Sequence, residues 1–162
     1  MKIVAIADTH IPERSDKLPL ELLEEIKLAD AVIHAGDFVS LELFKELKAI
    51  CKQVIAVRGN MDAGELAKEL PEKEIFKVGK FRIGVMHGYG APGRVAELLL
   101  LEFKKDKLDM IVFGHSHTPL NEKIGSVIMF NPGSPTDKVF APYVSYGVIE
   151  IDDKIEAKIV KL

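Results

Sequence analysis

Short apolar runs rich in β-branched residues restrict this chain most strongly, because continuous runs of this kind are typical of strands buried on both faces of a sheet. The runs are IVAIA (3–7), AVIHA (31–35), QVIAV (53–57), FRIGVM (81–86) and MIVFG (110–114). The pattern therefore predicts a fold built on buried sheets.

Helical patterns separate several of these runs. LELLEEIKL (20–28) follows Pro19, which suits a first helical turn, and SLELFKELKAI (40–50) starts at Ser40, a suitable N-cap. A third helical pattern, GRVAELLLLEFKK (93–105), leads into the last run. Strand–helix–strand units of this kind predict parallel pairing.

The second half of the chain reads mainly as hairpins, which imply antiparallel pairing. They are EIFKVGKFRIGVM (74–86), NEKIGSVIMF (121–130) and YGVIEIDDKIEAKIV (146–160). Parallel units together with hairpins predict an α/β sandwich of two mixed sheets with helices outside. The length predicts one domain over residues 1–162.

Composition restricts the binding partners and the cellular location that we expect for this protein. No apolar run approaches the ~18 residues of a membrane span, so we expect a soluble protein. The N-terminal apolar stretch ends at Asp8 without a small-residue cleavage site, which predicts a core strand and a cytoplasmic protein. The net charge is −3, and lysines alternate with glutamates, so nucleic-acid binding is disfavoured. An oligomer is compatible with the sequence.

Cys51 is the only cysteine, which excludes an intramolecular disulfide and a thiolate zinc cluster. Any metal must therefore be held by histidine, carboxylate or amide groups. Glu and Lys are abundant and Gln53 is the only glutamine, a bias seen in heat-adapted proteins.

Each apolar run is followed by groups that can bind a metal. They are Asp8, His10, Asp37, Asn60, His87, His115 and His117. The carboxyl ends of strands in an open α/β sheet meet at one edge, so these groups can converge. Singly, each motif is more often a tight turn or a helix cap. Four of the five histidines lie at these ends, however, and packing gives no reason for that, so we favour a metal site.

The number of candidate ligands predicts two cations. A single zinc takes about four ligands, whereas a binuclear site with cations about 3.5–4 Å apart uses more. Imidazole and oxygen ligands without thiolate suit manganese, nickel, iron or zinc better than calcium or magnesium.

The motifs Asp8-x-His10, Gly36-Asp37, Gly59-Asn60, His87-Gly88 and Gly114-His115-x-His117, in this order, resemble those of the calcineurin-like metallophosphoesterase superfamily. The likeness continues into NPGS (131–134) and is greatest to the small cap-less branch. That branch includes phosphodiesterases of the YfcE type and the retromer scaffold subunit.

The resemblance implies a four-layer α/β/β/α sandwich with a bridging carboxylate, Asp37. One metal would be held by Asp8, His10, Asp37 and His117, and the other by Asp37, Asn60, His87 and His115. A hydroxide shared by the metals would attack a small phosphodiester, so Asp37, Asn60 and His87 would act through the metals and no protein nucleophile is needed. Manganese is the favoured metal.

Met61 follows the asparagine where many family members have a histidine acid. A thioether cannot donate a proton, which predicts weak activity on phosphomonoesters and a preference for good leaving groups. The neighbouring Asp62 is expected to brace the loop rather than bind metal.

Other residues have more ordinary interpretations. We expect His34 to be buried support, Cys51 a core residue, and the NPGS turn structural rather than ligand-binding. An arginine that often follows this turn in the family is missing, which leaves Arg58 as the nearest basic candidate for a phosphate contact.

Two alternatives share the predicted fold. One is a protein-interaction scaffold with a vestigial metal site, although a scaffold has no need of a complete ligand set. The other is a nuclease, which normally requires a basic platform or an added domain.

Overall fold

The computed structural model describes residues 1–162 and contains strands β1–β10 and helices α1–α4. The strands are Lys2–Ile6, Ala31–His34, Val54–Ala56, Lys73–Val78, Phe81–Met86, Met110–Val112, Leu120–Ile124, Val127–Asn131, Ser145–Ile151 and Ile155–Lys161. The helices are Leu20–Lys27, Leu41–Ile50, Gly64–Glu69 and Val95–Glu102, and a 3-10 turn, Pro92–Arg94, precedes the last.

All predicted strands and hairpins are present, so the sequence placed these elements correctly. The helix predicted over 93–105 is shorter, because its first turn is 3-10 and α4 ends at Glu102. Helix α3 was not predicted, because at six residues it is too short to show a clear periodic pattern.

The strands form two five-stranded mixed sheets, which confirms the predicted fold class. The first has the order β10-β9-β1-β2-β3 and the second β4-β5-β6-β8-β7. Strands β1, β2 and β3 are parallel, as are β5, β6 and β8, and hairpins extend both sheets with antiparallel strands. Each sheet therefore has a set of parallel strands whose carboxyl ends share one edge.

Buried apolar side chains form three separate clusters, which define a helix–sheet–sheet–helix order. The largest includes side chains of α1, α2 and α3 against the first sheet, together with Cys51, as predicted. The second cluster lies between the sheets, and the third packs α4 on the second sheet. In β1, Val4 belongs to the helix-side cluster whereas Ile3 and Ala5 belong to the cluster between the sheets.

This alternation explains the continuous apolar runs, because successive side chains of a strand point to opposite faces and both faces are covered here. Ser40 caps α2 as predicted, since its side chain accepts a hydrogen bond from the Leu43 N–H at 3.2 Å. No helix is long and apolar enough to cross a lipid bilayer.

Replacing Leu22 by alanine should destabilise the fold, because this α1 side chain is 0% exposed in the helix-side cluster. Deleting a buried leucine costs about 2–5 kcal/mol, which urea unfolding followed by circular dichroism will measure. Leu20→Ala is the matched control in the same helix, because Leu20 is 71% exposed. Equal losses from the two changes would contradict the layer assignment.

Candidate metal centre

The loops after β1, β2, β3, β5 and β6 bring all the predicted ligands into one region. Those loops belong to the parallel strands of both sheets, so the site lies where the carboxyl edges of the two sheets meet. Two groups of side chains can be distinguished, with Asp37 between them.

Asp8, His10 and His117 form the first group, in which one ligand atom of each residue lies within 4.8 Å of the others. The Nε2 atom of His117 is 3.6 Å from Asp8 Oδ1, and the rings of His10 and His117 are 5.1 Å apart. Asp8 is fully buried and His10 nearly so.

The second group consists of Asn60, His87 and His115. Asn60 Oδ1 lies 3.1 Å from His87 Nε2 and 3.0 Å from His115 Nδ1. His87 is buried, whereas Asn60 is exposed, so this group opens to solvent.

Asp37 lies between the two groups. Its Oδ2 atom is 3.5 Å from His10 Nε2 and 3.4 Å from His87 Nε2. Its other oxygen, Oδ1, accepts the backbone N–H of Met61 at 2.8 Å, which fixes the carboxylate orientation. The Oδ2 atom of Asp37 is therefore left to face both groups.

Acceptors on the outer side of the imidazoles determine which nitrogens carry protons. His87 Nδ1 is 2.8 Å from Ala35 O, and His115 Nε2 is 3.0 Å from Gly90 O. A carbonyl oxygen can only accept, so each of these nitrogens is the N–H donor. When these rings are neutral, as metal ligands must be, the other nitrogen of each directs a lone pair at Asn60 Oδ1, which is itself an acceptor.

His117 follows the same rule through a carboxylate. Its Nδ1 donates to Asp137 Oδ2 at 2.6 Å, which leaves Nε2 facing Asp8. Carboxylate and carbonyl partners of this kind orient metal-binding histidines and fix their tautomers. We did not identify Asp137 from the sequence, although it follows the NPGS segment closely.

Two buried polar atoms of the first group have no hydrogen-bond partner, namely Asp8 Oδ2 and His10 Nε2. Burial raises the pKa of Asp8 to about 7, because a desolvated carboxylate is unfavourable without a compensating charge. A divalent cation in this group would neutralise the Asp8 carboxylate and provide a partner for His10 Nε2, and the converging acceptors of the second group fit a cation equally well.

Asp37 and His87 stabilise each other's charged form. Burial acts to raise the pKa of Asp37, but the His87 imidazole and the Met61 N–H outweigh it, and the pKa is lowered. Burial likewise acts to lower the pKa of His87, but Asp37 and Asp8 outweigh it, and the pKa is raised.

Backbone strain is concentrated in the candidate ligands. Positive φ angles occur at Asp8 (54°), His10 (42°), Asp37 (59°), His115 (70°) and His117 (54°). Non-glycine residues rarely adopt this left-handed region, and such strain persists where the surrounding structure imposes it, often at functional sites. The strain could not be predicted from the motifs, because a motif specifies residue types and not backbone angles.

Asp62 braces the loops after β2 and β3, as predicted. Its carboxylate accepts the backbone N–H groups of Asp37 at 3.0 Å, Val39 at 2.8 Å and Gly59 at 2.8 Å. One buried side chain thus joins the two loops that carry Asp37 and Asn60.

Gly59 is required for space rather than for a left-handed turn conformation. Its φ is not positive, but a Cβ atom at this position would overlap Oδ1 and the backbone nitrogen of Asp37. The Gly-Asn motif therefore allows the β3 loop to approach Asp37 closely.

The NPGS segment has the structural role that we favoured. Asn131 Nδ2 donates to Gly114 O at 3.0 Å, and Ser134 Oγ donates to Asp8 O at 2.7 Å. These bonds hold the loops that carry Asp8 and His115 against the end of β8.

His34 is buried support, as predicted. Its ring stacks on Phe38 with the centroids 3.4 Å apart, and its Nδ1 accepts the Gly36 N–H at 3.2 Å, so Nε2 donates to Thr9 Oγ1 at 3.0 Å. Burial lowers the pKa of His34 well below its usual range, so the ring is neutral.

Arg58 is not directed at the ligands. Its guanidinium donates to Ala67 O at 2.8 Å and pairs with Glu72, so its charge is already partnered. The basic side chain beside the first group is Arg14, whose Nε is 3.9 Å from Asp137 Oδ2. We did not single out Arg14 from the sequence, since nothing in its neighbours marks it.

The fold and the ligand cluster place the chain among the metallophosphoesterases. It belongs to the calcineurin-like phosphoesterase superfamily, whose domain matches residues 1–154. This finding confirms the resemblance inferred from the motifs.

Several relatives share most of their length with the chain. A probable metallophosphoesterase of Methanocaldococcus jannaschii is 36% identical over 100% of this chain and 82% of its own. A second protein of that organism, named a phosphodiesterase, is 28% identical over 82% of this chain and 83% of its own. The crystal structure of Entamoeba histolytica Vps29 complexed with Zn²⁺ is 26% identical, with a TM-score of 0.78 and coverage of 99% of both chains.

Gly59→Ala should destabilise the protein, because the added methyl group must displace the Asp37 carboxylate or the β3 loop. Overpacking of this kind costs about 1–3 kcal/mol, measurable by urea unfolding of metal-free protein. Gly93→Ala is the matched control, since a Cβ there meets nothing within 4 Å. Unchanged stability in Gly59→Ala would refute the close approach.

Proposed function

We propose that the chain is a binuclear metal-dependent phosphodiesterase and that residues 1–162 form one domain with this activity. The observation that carries the proposal is the position of Asp37 Oδ2, 3.5 Å from a histidine of one group and 3.4 Å from a histidine of the other. A carboxylate oxygen so placed suits a bridge between two cations. The Zn²⁺ complex of Vps29 and the name of the phosphodiesterase relative support the proposal.

The two groups divide the proposed ligands between the metals. The first metal would be held by Asp8, His10, Asp37 and His117. The second would be held by Asp37, Asn60, His87 and His115. When bound, divalent cations acidify water and neutralise phosphate oxygens. The donor set suits manganese, and also nickel, iron or zinc.

The protein groups control the charge of the centre. Asp8 and Asp37 supply the negative charge, whereas Asn60 and the neutral imidazoles supply none. Two divalent cations would therefore leave an excess of positive charge, which attracts the anionic phosphodiester. Asp137 adds a negative charge behind His117, where it orients the ring and does not face the substrate side.

Protonation of the leaving group receives no help from Met61. Its side chain is 47% exposed beside Asn60, and its backbone N–H is used by Asp37 Oδ1. A thioether cannot act as an acid, so the ester oxygen must leave with little assistance. Aryl phosphodiesters satisfy this condition, whereas alkyl phosphomonoesters do not.

A scaffold function on the same fold is the alternative. A scaffold would gain nothing from Asp8 Oδ2 and His10 Nε2, which are buried without partners. Burying polar atoms in this way is costly, so a fold without a metal would not need them. The presence of these two atoms at the junction of the sheets favours the phosphodiesterase over the scaffold.

Metal removal by a chelator should abolish hydrolysis of bis(4-nitrophenyl) phosphate, and Mn²⁺ should restore it with two equivalents bound per chain by calorimetry.

Asp37→Ala should lower kcat/KM by about 100-fold or more, because even residues behind metal ligands contribute ~10–100-fold. The exposed Asp16 provides a matched control, Asp16→Ala, with unchanged turnover. Metal-loaded protein that is inert, or full activity in Asp37→Ala, would refute the proposal.

Met61→His should raise phosphomonoesterase relative to phosphodiesterase activity, since a general acid contributes up to ~10²–10⁴-fold. The measurement is the ratio of kcat/KM for an alkyl phosphomonoester, glycerol 2-phosphate, to that for bis(4-nitrophenyl) phosphate. Met61→Leu, which lacks a titratable group, should leave the ratio unchanged. Equal ratios for the histidine and leucine variants would show that position 61 does not face the leaving group.

A further inference from the structure

Exposed apolar and aromatic side chains lie beside the ligand cluster, in the segment 138–143, which follows Asp137. Phe140 is 66% exposed there, and its ring lies edge-on to the His117 ring with the centroids 6.2 Å apart. A large ring in this position contributes little to the core. It lies instead beside the ring of His117, a proposed metal ligand.

Phe140 is held firmly despite its exposure. The Arg14 guanidinium lies over the ring, 4.9 Å from its centroid. Asp137 Oδ1 accepts the backbone N–H groups of Val139 at 2.8 Å and Phe140 at 3.1 Å. The carboxylate that orients His117 therefore also fixes the main chain of Phe140, so the ring is pre-positioned relative to the proposed metal ligand.

A second exposed ring adjoins the other ligand group. Tyr89 is 44% exposed and lines a cavity of about 280 Å³ together with Asn60, His87 and Met86. Phe140 adjoins the group of Asp8, His10 and His117, whereas Tyr89 adjoins the group of Asn60, His87 and His115. Each proposed metal thus has an aromatic side chain on its own flank.

We infer that Phe140, held by Arg14 and Asp137, is a stacking platform for one planar substituent of a phosphodiester, and that Tyr89 flanks the other. The inference rests on the proposed phosphodiesterase function and specifies its substrate class: diesters that carry flat, aromatic arms. Aromatic side chains bind such groups through stacking, with no need for hydrogen bonds.

The charge of the substrate supports this assignment. A phosphodiester has one negative charge, so a positive centre attracts it less strongly than a phosphomonoester dianion. Contacts with the two organic arms can compensate, because binding energy from remote parts of a substrate contributes to catalysis. A phosphomonoester has one arm and can use only one of the flanks.

Tryptophan fluorescence tests the platform without any turnover, because the natural chain has no tryptophan. Phe140→Trp places a single reporter on the platform of the Mn²⁺-loaded full chain. The probe is bis(4-nitrobenzyl)phosphinate, an uncleavable diester analogue whose nitroaromatic arms quench tryptophan. Dimethylphosphinate has the same charge and no rings.

Saturable quenching of Phe140→Trp by the nitrobenzyl probe, with none by dimethylphosphinate, is the expected result. Leu28→Trp is the control, because Leu28 is 75% exposed and precedes the amino end of β2, at the edge opposite the site. Only weak, linear quenching is expected there. Equal, non-saturable quenching of the two variants would overturn the platform.

Phe140→Leu tests the contribution to turnover, since leucine retains apolar bulk without a flat face. We expect about a tenfold loss of kcat/KM for bis(4-nitrophenyl) phosphate at unchanged metal content, as for the loss of one stacking contact. The outcomes remain distinguishable. Saturable quenching without hydrolysis by the natural chain would overturn the proposed function alone, and hydrolysis without saturable quenching would overturn the platform alone.

Discussion

The dominant constraint in this molecule is the convergence of hydrogen-bond acceptors in a partly buried space. When the rings are neutral, imidazole lone pairs, two carboxylates and an amide oxygen point at one another, while the N–H groups of the rings point outward to Ala35, Gly90 and Asp137. Such an arrangement is repulsive unless positive charge lies among the acceptors. The outer hydrogen bonds are therefore as important as the ligands, because they prevent the rings from turning to relieve the repulsion.

The two packed sheets stabilise this arrangement. Left-handed backbone at five of the seven candidate ligands costs about 1–3 kcal/mol each, and it persists because the strands on either side are buried on both faces. Gly114 allows the sheets to approach at the site, since a Cβ there would lie 2.8 Å from Ala7 Cβ and 2.9 Å from Asp8 Oδ2. The packed sheets thus fix the loops in conformations that isolated loops would not adopt.

Sequence reasoning predicted the features that depend on periodicity and strand direction. The strands, the hairpins, the mixed sheets and the gathering of the seven candidate ligands follow from apolar runs and from polar residues at their ends. The bracing role of Asp62 and the buried state of His34 were also predictable. These features are local, or they follow from the general rule that parallel strands end at one edge.

What sequence reasoning missed depends on contacts between distant segments. Asp137 meets His117 only because the end of β8 lies beside the loop after β6, and Arg14 meets Phe140 across more than a hundred residues. The space requirement at Gly59 was not predicted, since a motif reveals the residue type and not the atom that it must avoid. Helix α3 is too short to produce a clear periodic signal.

The two oxygens of the Asp137 carboxylate hold different parts of the molecule. Its Oδ2 atom serves His117, and its Oδ1 atom anchors the main chain at Val139 and Phe140 without contacting their side chains. Side chains beyond this anchor can therefore change while the hydrogen bond that orients His117 stays in place, so the tip of the segment can vary while its base stays constant. A fixed base with a variable tip separates the orientation of His117 from the choice of the side chain that lies beside it.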